Sequence, residues 1–206
     1  MLLVLAGVNG AGKSSIGGHL LRRAGLAWFN PDACTRALVS AGLPLEQANL
    51  RAWQHGVALV RQAVAQGHSH AFETTLGGTT IARLLAGASR THDLLVWYCG
   101  LASAEQHIAR VAARVAASGH DIPTTRIRER WAKAPLNLIE LMPHLAELKV
   151  YDNSLEAAPG TPVPDPTLVL HCRSRAVVHP ATARELDRTP GWARPIVRAA
   201  RALQGP

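Results

Sequence analysis

The chain has 206 residues, which suggests one domain, or one domain with an appendage. Its hydrophobic content of 48% is ordinary for a globular protein, and no apolar run approaches the roughly 18 residues that a membrane-spanning helix needs, which argues against a membrane protein. The net charge is +8, and arginine supplies nearly all of the excess, which favours phosphate-rich ligands unless it only reflects a GC-rich genome.

The cysteines and the first residues favour a cytoplasmic protein. Cys34, Cys99 and Cys172 are widely spaced and include no CxxC pair, so they predict neither a disulfide framework nor a metal site. The opening "MLLVLAG" has no basic residue, and a glycine cuts it short, which favours a buried first strand over a signal peptide.

Strand-like apolar runs alternate with amphipathic stretches over about the first 155 residues. The pattern predicts strands in "LLVLAG", "AWFN", "HAFET", "DLLVWYCG" and "LKVYDNS". It predicts helices in "KSSIGGHLLRRAG" (ended by Gly25), over Asp32 to Ala41 and Leu45 to Gln66, in "TTIARLLAGAS", after Ser103, and from near Thr124 with interruptions at Pro135 and Pro143. This alternation predicts an α/β fold, with a parallel sheet of about five strands covered by helices on both faces. Such sheets bind ligands beyond the carboxyl ends of their strands.

The later part of the chain has a different composition. We expect residues 1–156 to form the main domain and residues 157–206 to form an appendage. Residues 157–166 are rich in proline and predict a linker. The segment "TLVLHC" is a candidate edge strand, and the basic tail ends in a predicted short helix.

The first predicted strand leads into a loop that suits phosphate. "GVNGAGKS", from Gly7 to Ser14, fits G-x-x-x-x-G-K-[ST] in full and opens a predicted helix, the context that supports such a match. This motif predicts a P-loop NTPase fold in which backbone amides hold the phosphates of ATP. Lys13 is expected to reach the β- and γ-phosphates, and the Ser14 hydroxyl is expected to ligate Mg²⁺. The residues predicted to bind nucleotide here are Gly7, Asn9, Gly10, Ala11, Gly12, Lys13, Ser14 and Ser15.

Two acidic residues follow predicted strands. Asp32 comes just after "AWFN" and Glu73 lies at the end of the next strand, so both are expected at the carboxyl edge of the sheet, near the phosphate loop. One acid could accept the proton of an attacking hydroxyl while the other holds Mg²⁺ or the acceptor. The alternatives are a helix N-cap for Asp32 and a loop or capping acid for Glu73. Thr74 and Thr75 are expected either to contact the substrate or to cap the next helix.

Arginines flank a turn later in the chain. Arg110 and Arg114 share one face of a predicted helix, Arg126 and Arg130 repeat the spacing, and "SGHDIP" lies between the two pairs. This arrangement predicts a helical lid near residues 115–130 that closes arginines over the transferring phosphate. The alternative is a solvated charged face.

Several motifs in this order resemble the zeta-toxin group of P-loop kinases, and its short branch most of all. They are "GVNGAGKSS", "NPD", "FETTL", "RVAARVAASGHDIPTTRIRERWAKAPLNL" and "YDNS". The resemblance runs from about Leu2 to Ser154. It implies an ATP-dependent kinase; characterised zeta toxins phosphorylate a hydroxyl of UDP-N-acetylglucosamine, and an antitoxin occludes their nucleotide site.

The resemblance also implies a role for particular residues. By position, Asp32 matches the proposed general base and Glu73 the substrate-binding acid, with Thr74 and Thr75 beside it. Asn153 falls where a loop approaches the adenine. Together with the phosphate-loop lysine, the lid arginines complete a predicted catalytic set of Asp32, Lys13, Arg114 and Arg130.

Two other functions stay open. A 5′-hydroxyl polynucleotide kinase uses the same loop and base, and the basic tail suits nucleic acid. Against it, the sequence has no run of aromatic residues interleaved with basic ones to stack bases. The other alternative is a catalytically silent ATP-binding module, against which the pair Asp32 and Glu73 argues. We therefore expect a small-molecule hydroxyl acceptor, with an antitoxin as a candidate partner.

Overall fold

The fold is built on one sheet. A computed structural model of the chain describes residues 1–14, 17, 21, 27–116, 121–156 and 164–204. Its strands are β1 (Leu2–Ala6), β2 (His70–Thr74), β3 (Leu94–Gly100), β4 (Glu147–Asp152), β5 (Thr167–Arg173) and β6 (Ala176–His179). They lie in the order β2-β1-β3-β4-β5-β6; the first four are parallel, and β5 and β6 run antiparallel to their neighbours. The predicted α/β fold is confirmed, with a mixed sheet of six strands instead of a parallel sheet of about five.

Helices connect the parallel strands and follow the last hairpin. They are α1 (Pro31–Ser40), α2 (Leu45–Gln66), α3 (Thr79–Ala88), α4 (Ala104–Ala116), α5 (Thr124–Leu141), α6 (Ala183–Asp187) and α7 (Arg194–Gln204), with 3-10 turns at Met142–His144 and Gly191–Ala193. None of these described helices is long and apolar enough to cross a membrane. Lys13 and Ser14 begin a further helical segment, whose predicted end at Gly25 lies outside the described residues.

A predicted strand and a predicted helix interruption were wrong. The segment "AWFN" is not a strand, because only Phe29 forms a single parallel bridge, to Phe72, before Asn30 begins the turn into α1. Proline at the first position of α1 suits a helix start, so the chain leaves the sheet after one residue. The interruption predicted at Pro135 is also absent, since α5 continues to Leu141. Its buried face packs in the core, which outweighs the hydrogen bond that proline removes.

The core lies on both faces of the sheet. Leu2 and Val4 of β1 belong to the larger apolar cluster, which includes side chains from α2, α3, α4, α5 and α7. Leu3 and Leu5 alternate to the other face, where they pack with Leu21. Because β2, β1, β3 and β4 are parallel, their carboxyl ends form one edge of the sheet, and the loops that follow them meet there.

The residues after 164 extend this sheet. The segment "TLVLHC" forms β5, which lies between β4 and β6 and is therefore an inner strand and not an edge strand. In α7, Ile196, Val197 and Ala200 are buried in the larger cluster.

Candidate phosphoryl-transfer site

The loop after β1 has the backbone shape of a phosphate cradle. Gly7, Gly10 and Gly12 have φ values of 139°, 81° and 88°, in the left-handed region that favours glycine. A Cβ on Gly10 would lie 2.9 Å from the backbone oxygen of His107, so no larger residue fits at that position. The loop ends in the first helical residues, Lys13 and Ser14, which places its amides at a helix N-terminus.

Lys13 is folded over this loop. Its Nζ lies 3.4 Å from the backbone oxygen of Val8. Burial lowers the pKa of Lys13, whereas the carboxylates of Glu73 and Asp32 act in the opposite direction. An amine that contacts the loop and interacts electrostatically with both carboxylates is in position to contact a phosphate bound there.

Three side chains from distant helices and loops hold the phosphate loop from outside. Arg130 Nη1 donates to Asn9 Oδ1 at 2.6 Å, and His107 Nδ1 lies 2.8 Å from the backbone oxygen of Asn9, which is itself only 5% exposed. Asn153 Nδ2 donates to the backbone oxygen of Ala11 at 3.0 Å. Because a backbone oxygen only accepts, the His107 ring carries its proton on Nδ1. Burial lowers the pKa of His107 to about 4.

Glu73 is a buried carboxylate at the centre of a hydrogen-bond network. It is 6% exposed, and Ser14 Oγ donates to its Oε2 at 3.0 Å. Trp28 Nε1 and Asn30 Nδ2 donate to its Oε1 at 2.8 and 3.1 Å. Asn30 Nδ2 also lies 3.2 Å from Ser14 Oγ. Both oxygens of Glu73 are therefore engaged, and the carboxylate fixes the position of the Ser14 hydroxyl.

Asp32 lies in the first turn of α1, but it is not the helix N-cap. Asn30 has that role, since its Oδ1 accepts from the backbone N–H of Ala33 at 3.0 Å. The capping alternative for Asp32 was therefore wrong. Its carboxylate instead forms an ion pair with Arg114, with Nη1 and Oδ2 3.1 Å apart, and the two side chains are 36% and 35% exposed.

The predicted lid arginines differ in their partners. Arg114 Nε and Nη2 are enclosed and have no hydrogen-bond partner among the described residues. Arg130 is bound to Asn9, and Arg110 Nη2 donates to the backbone oxygens of Asn153 and Leu155 at 2.8 and 3.3 Å. The structure thus brings both predicted catalytic arginines to the phosphate loop or its neighbouring acid. The centre of the predicted lid, residues 117–120, lies outside the described residues.

The two threonines after β2 hold a turn. Thr74 Oγ1 accepts from the backbone N–H of Leu76 at 3.1 Å, and Thr75 Oγ1 accepts from that of Gly77 at 3.4 Å. The N-cap of α3 is Gly78, so neither threonine caps that helix. Ser15, also predicted to bind nucleotide, lies outside the described residues.

Solved structures are similar to this chain in fold. No family model matches it, and no curated protein matches its sequence. The AvrRxo1-ORF1:AvrRxo1-ORF2 complex with ATP superposes with a TM-score of 0.63 at 13% identity, covering 100% of this chain and 80% of that chain. The native complex gives 0.65 at 14% identity, covering 98% and 70%. A structure from the PezAT chromosomal toxin–antitoxin system of Streptococcus pneumoniae gives 0.53 at 11% identity, covering 73% and 66%.

This chain has the fold of those proteins. The fold expected from the zeta-toxin resemblance is therefore confirmed. At such low identity the likeness concerns the fold alone.

Several site residues escaped the sequence analysis. The sequence does contain a signal for Asn30 as a helix N-cap, because this residue directly precedes a proline at a helix start. Trp28 and His107 had none, since their contacts to Glu73 and Asn9 join residues 45 and 98 positions apart. The same holds for Asn137, whose Nδ2 donates to the backbone oxygen of Leu76 at 2.7 Å.

Proposed function

We propose that this protein is an ATP-dependent kinase of the zeta-toxin type, which transfers the γ-phosphate to a hydroxyl acceptor. UDP-N-acetylglucosamine or a related UDP-amino sugar is the first candidate acceptor. The observation that carries the proposal is the contact of Asp32 with Arg114 beside the phosphate loop, which joins residues 82 positions apart. The PezAT likeness further supports an antitoxin as a partner.

The arrangement around the phosphate loop supports ATP as the donor. The loop amides and Lys13 would hold the β- and γ-phosphates. Arg110 and Asn153 lie on one side of the loop. Asn153 donates to the loop through its side chain, and its backbone oxygen accepts from Arg110. We assign the adenine to that side.

The residues beside the loop also fit Mg²⁺. Ser14 Oγ and Glu73 Oε2 are hard oxygen donors 3.0 Å apart, in a part of the site where a buried carboxylate supplies negative charge. Ser14 would be the direct ligand, and Glu73 would orient its hydroxyl. Bound Mg²⁺ would neutralise charge on the β- and γ-phosphates. Glu73 would thus serve the metal, in addition to the acceptor role that the resemblance implies.

Asp32 and Arg114 would share the chemistry of the transfer. Asp32 would accept the proton of the acceptor hydroxyl as its oxygen attacks the γ-phosphorus. The Nε and Nη2 edge of Arg114 has no hydrogen-bond partner among the described residues, and its fork geometry matches two phosphate oxygens. A phosphate bound there would draw Arg114 from Asp32 and so weaken the ion pair that holds the Asp32 carboxylate. Arg130 would hold the phosphate loop through Asn9 while this happens.

The test is transfer of labelled γ-phosphate from ATP to a panel of acceptors. The panel holds UDP-amino sugars, other sugar nucleotides, small sugars, nucleosides and 5′-hydroxyl oligonucleotides, with Asp32→Asn assayed in parallel. We expect label on a UDP-amino sugar and its loss in the variant. Label only on oligonucleotides would establish the polynucleotide-kinase alternative. ATP binding without transfer to any acceptor would favour the silent module.

A further inference from the structure

A cavity lies away from the phosphoryl-transfer site. It has a volume of about 260 Å³ and is enclosed by the carboxyl end of β3, helices α4 and α5, and the turn Gly191–Ala193. None of the residues assigned above to phosphate, Mg²⁺ or proton transfer lines it. The link between the two sites is His107, which bonds Asn9 through Nδ1 while its ring lines the cavity.

The described walls of this cavity are apolar and aromatic. Tyr98, Trp131 and Trp192 contribute three rings, and the described lining contains no Asp, Glu, Lys or Arg. Leu136 also lines the cavity and is 59% exposed, so the cavity has an opening to solvent. A charged ligand would lose its hydration here without gaining a countercharge. The walls therefore favour a neutral, planar molecule that stacks on aromatic rings.

Two polar groups in the cavity wall have no hydrogen-bond partner in the part of the chain that the structure describes. Tyr98 is 2% exposed and His107 is 1% exposed. Neither the Tyr98 hydroxyl nor His107 Nε2 has a hydrogen-bond partner among the described residues. Because Nδ1 carries the proton of the neutral ring, Nε2 presents an acceptor, whereas the tyrosine hydroxyl is able to donate or accept. Both side chains are almost wholly buried, and these two atoms are open to the cavity, where a ligand with one donor and one acceptor would pair with them.

We propose that this cavity is a binding site for a small, neutral, heteroaromatic molecule that carries one hydrogen-bond donor and one acceptor. The donor pairs with His107 Nε2 and the acceptor with the Tyr98 hydroxyl. The site is separate from the nucleotide site, and its ligand binds whether or not ATP is present. This proposal does not depend on the kinase reaction.

Benzimidazole tests the proposal, since it is neutral near physiological pH and has one ring N–H and one ring nitrogen acceptor. Titration of the full chain by ligand-observed NMR should give saturable binding with a Kd of about 1 mM or tighter. Benzoate and benzamidine are charged comparators of similar size, and we expect each to bind at least about tenfold more weakly. Saturating ATP should leave the benzimidazole affinity unchanged.

Two variants locate the binding. Gly191→Leu adds a side chain to the cavity wall at a position where a Cβ meets no atom within 4 Å, and it should weaken benzimidazole binding about tenfold or more. Gly87→Leu is the matched control, because that glycine also has open space around it but lies on α3, outside the cavity lining. Tyr98→Phe removes only the hydroxyl and should weaken binding about two- to tenfold.

Thermal melts should show that all three variants are folded. Loss of binding in Gly191→Leu and weakening in Tyr98→Phe, with Gly87→Leu unaffected, would support the proposal. It would be overturned by no saturable binding to the wild-type chain, by displacement with ATP, or by unweakened binding in both cavity variants.

Discussion

Glu73 and Asp32 are both carboxylates beside the phosphate loop, but their surroundings differ. Glu73 is buried, and three donors engage both of its oxygens. Asp32 is 36% exposed and is paired with Arg114, near the end of α4, the helix that leads into the predicted lid. The difference indicates that Glu73 belongs to a fixed scaffold around the loop. The Asp32–Arg114 pair, by contrast, is able to exchange partners when substrates bind.

The largest expected effect separates activity from stability at Asp32. Asp32→Asn should lower the transfer rate about 10²- to 10⁴-fold, because the amide does not accept the acceptor's proton. The free energy of unfolding should change by less than about 1 kcal/mol, since partly exposed ion pairs contribute little. Steady-state transfer and urea unfolding measure the two quantities, with ATP affinity as the control. Transfer within about threefold of the wild-type rate would show that Asp32 is not the base.

The next largest effect is expected in the pH dependence of stability, through His107, which holds the phosphate loop at Asn9. Burial lowers its pKa to about 4, so between the usual value near 6.5 and about 4 the unfolded chain binds a proton that the folded chain does not. The contribution of His107 to the free energy of unfolding is therefore fully present above this window. It is lost as the pH decreases through the window, by roughly 3 kcal/mol.

The matched variant for this measurement is His107→Gln, which retains a donor for Asn9 but does not titrate. Unfolding free energies of both proteins, measured across the window, should show a shallower decline for the variant. Equal declines would mean that His107 is protonated in the folded protein as readily as in the unfolded chain.

A smaller effect is expected for Glu73→Gln. The amide has one accepting oxygen, so it fails to serve Ser14, Trp28 and Asn30 together, and the charge-assisted bonds are lost. We expect a loss of about 1–2 kcal/mol in the free energy of unfolding. Glu105→Gln is the control, since that acid lies on the surface in an ion pair with Arg128. If both variants unfold alike, the fixed role of Glu73 is refuted.

The sequence predicted the parts of this site that depend on local pattern. The spacing of glycines and Lys13 in the phosphate loop dictates its conformation, and the ends of parallel strands bring Glu73 to the same edge. The N-cap alternative for Asp32 was wrong. A proline at the first helical position already favours Asn30 as the cap.

The rest depends on packing between distant segments. Nothing in the local sequence around His107 indicates that its ring reaches Asn9, because the contact requires the angle at which α4 meets the phosphate loop. The positions of β5 and β6 in the sheet could not be predicted either, since alternating apolar residues predict a strand but not its neighbours. The course of α5 through Pro135 followed from burial of its inner face, which outweighed a local rule.

The smallest expected effect concerns the strength of the Asp32–Arg114 pair itself. A double-mutant cycle with Asp32→Ala, Arg114→Ala and the double variant measures their coupling in the free energy of unfolding. Both side chains are about one-third exposed, so we expect a coupling of about 0.2–1 kcal/mol that decreases in high salt. A weak pair is what the exchange of partners requires, since phosphate must draw Arg114 away at little cost. A coupling above about 2 kcal/mol would instead make the pair a structural bridge and remove the contrast with Glu73.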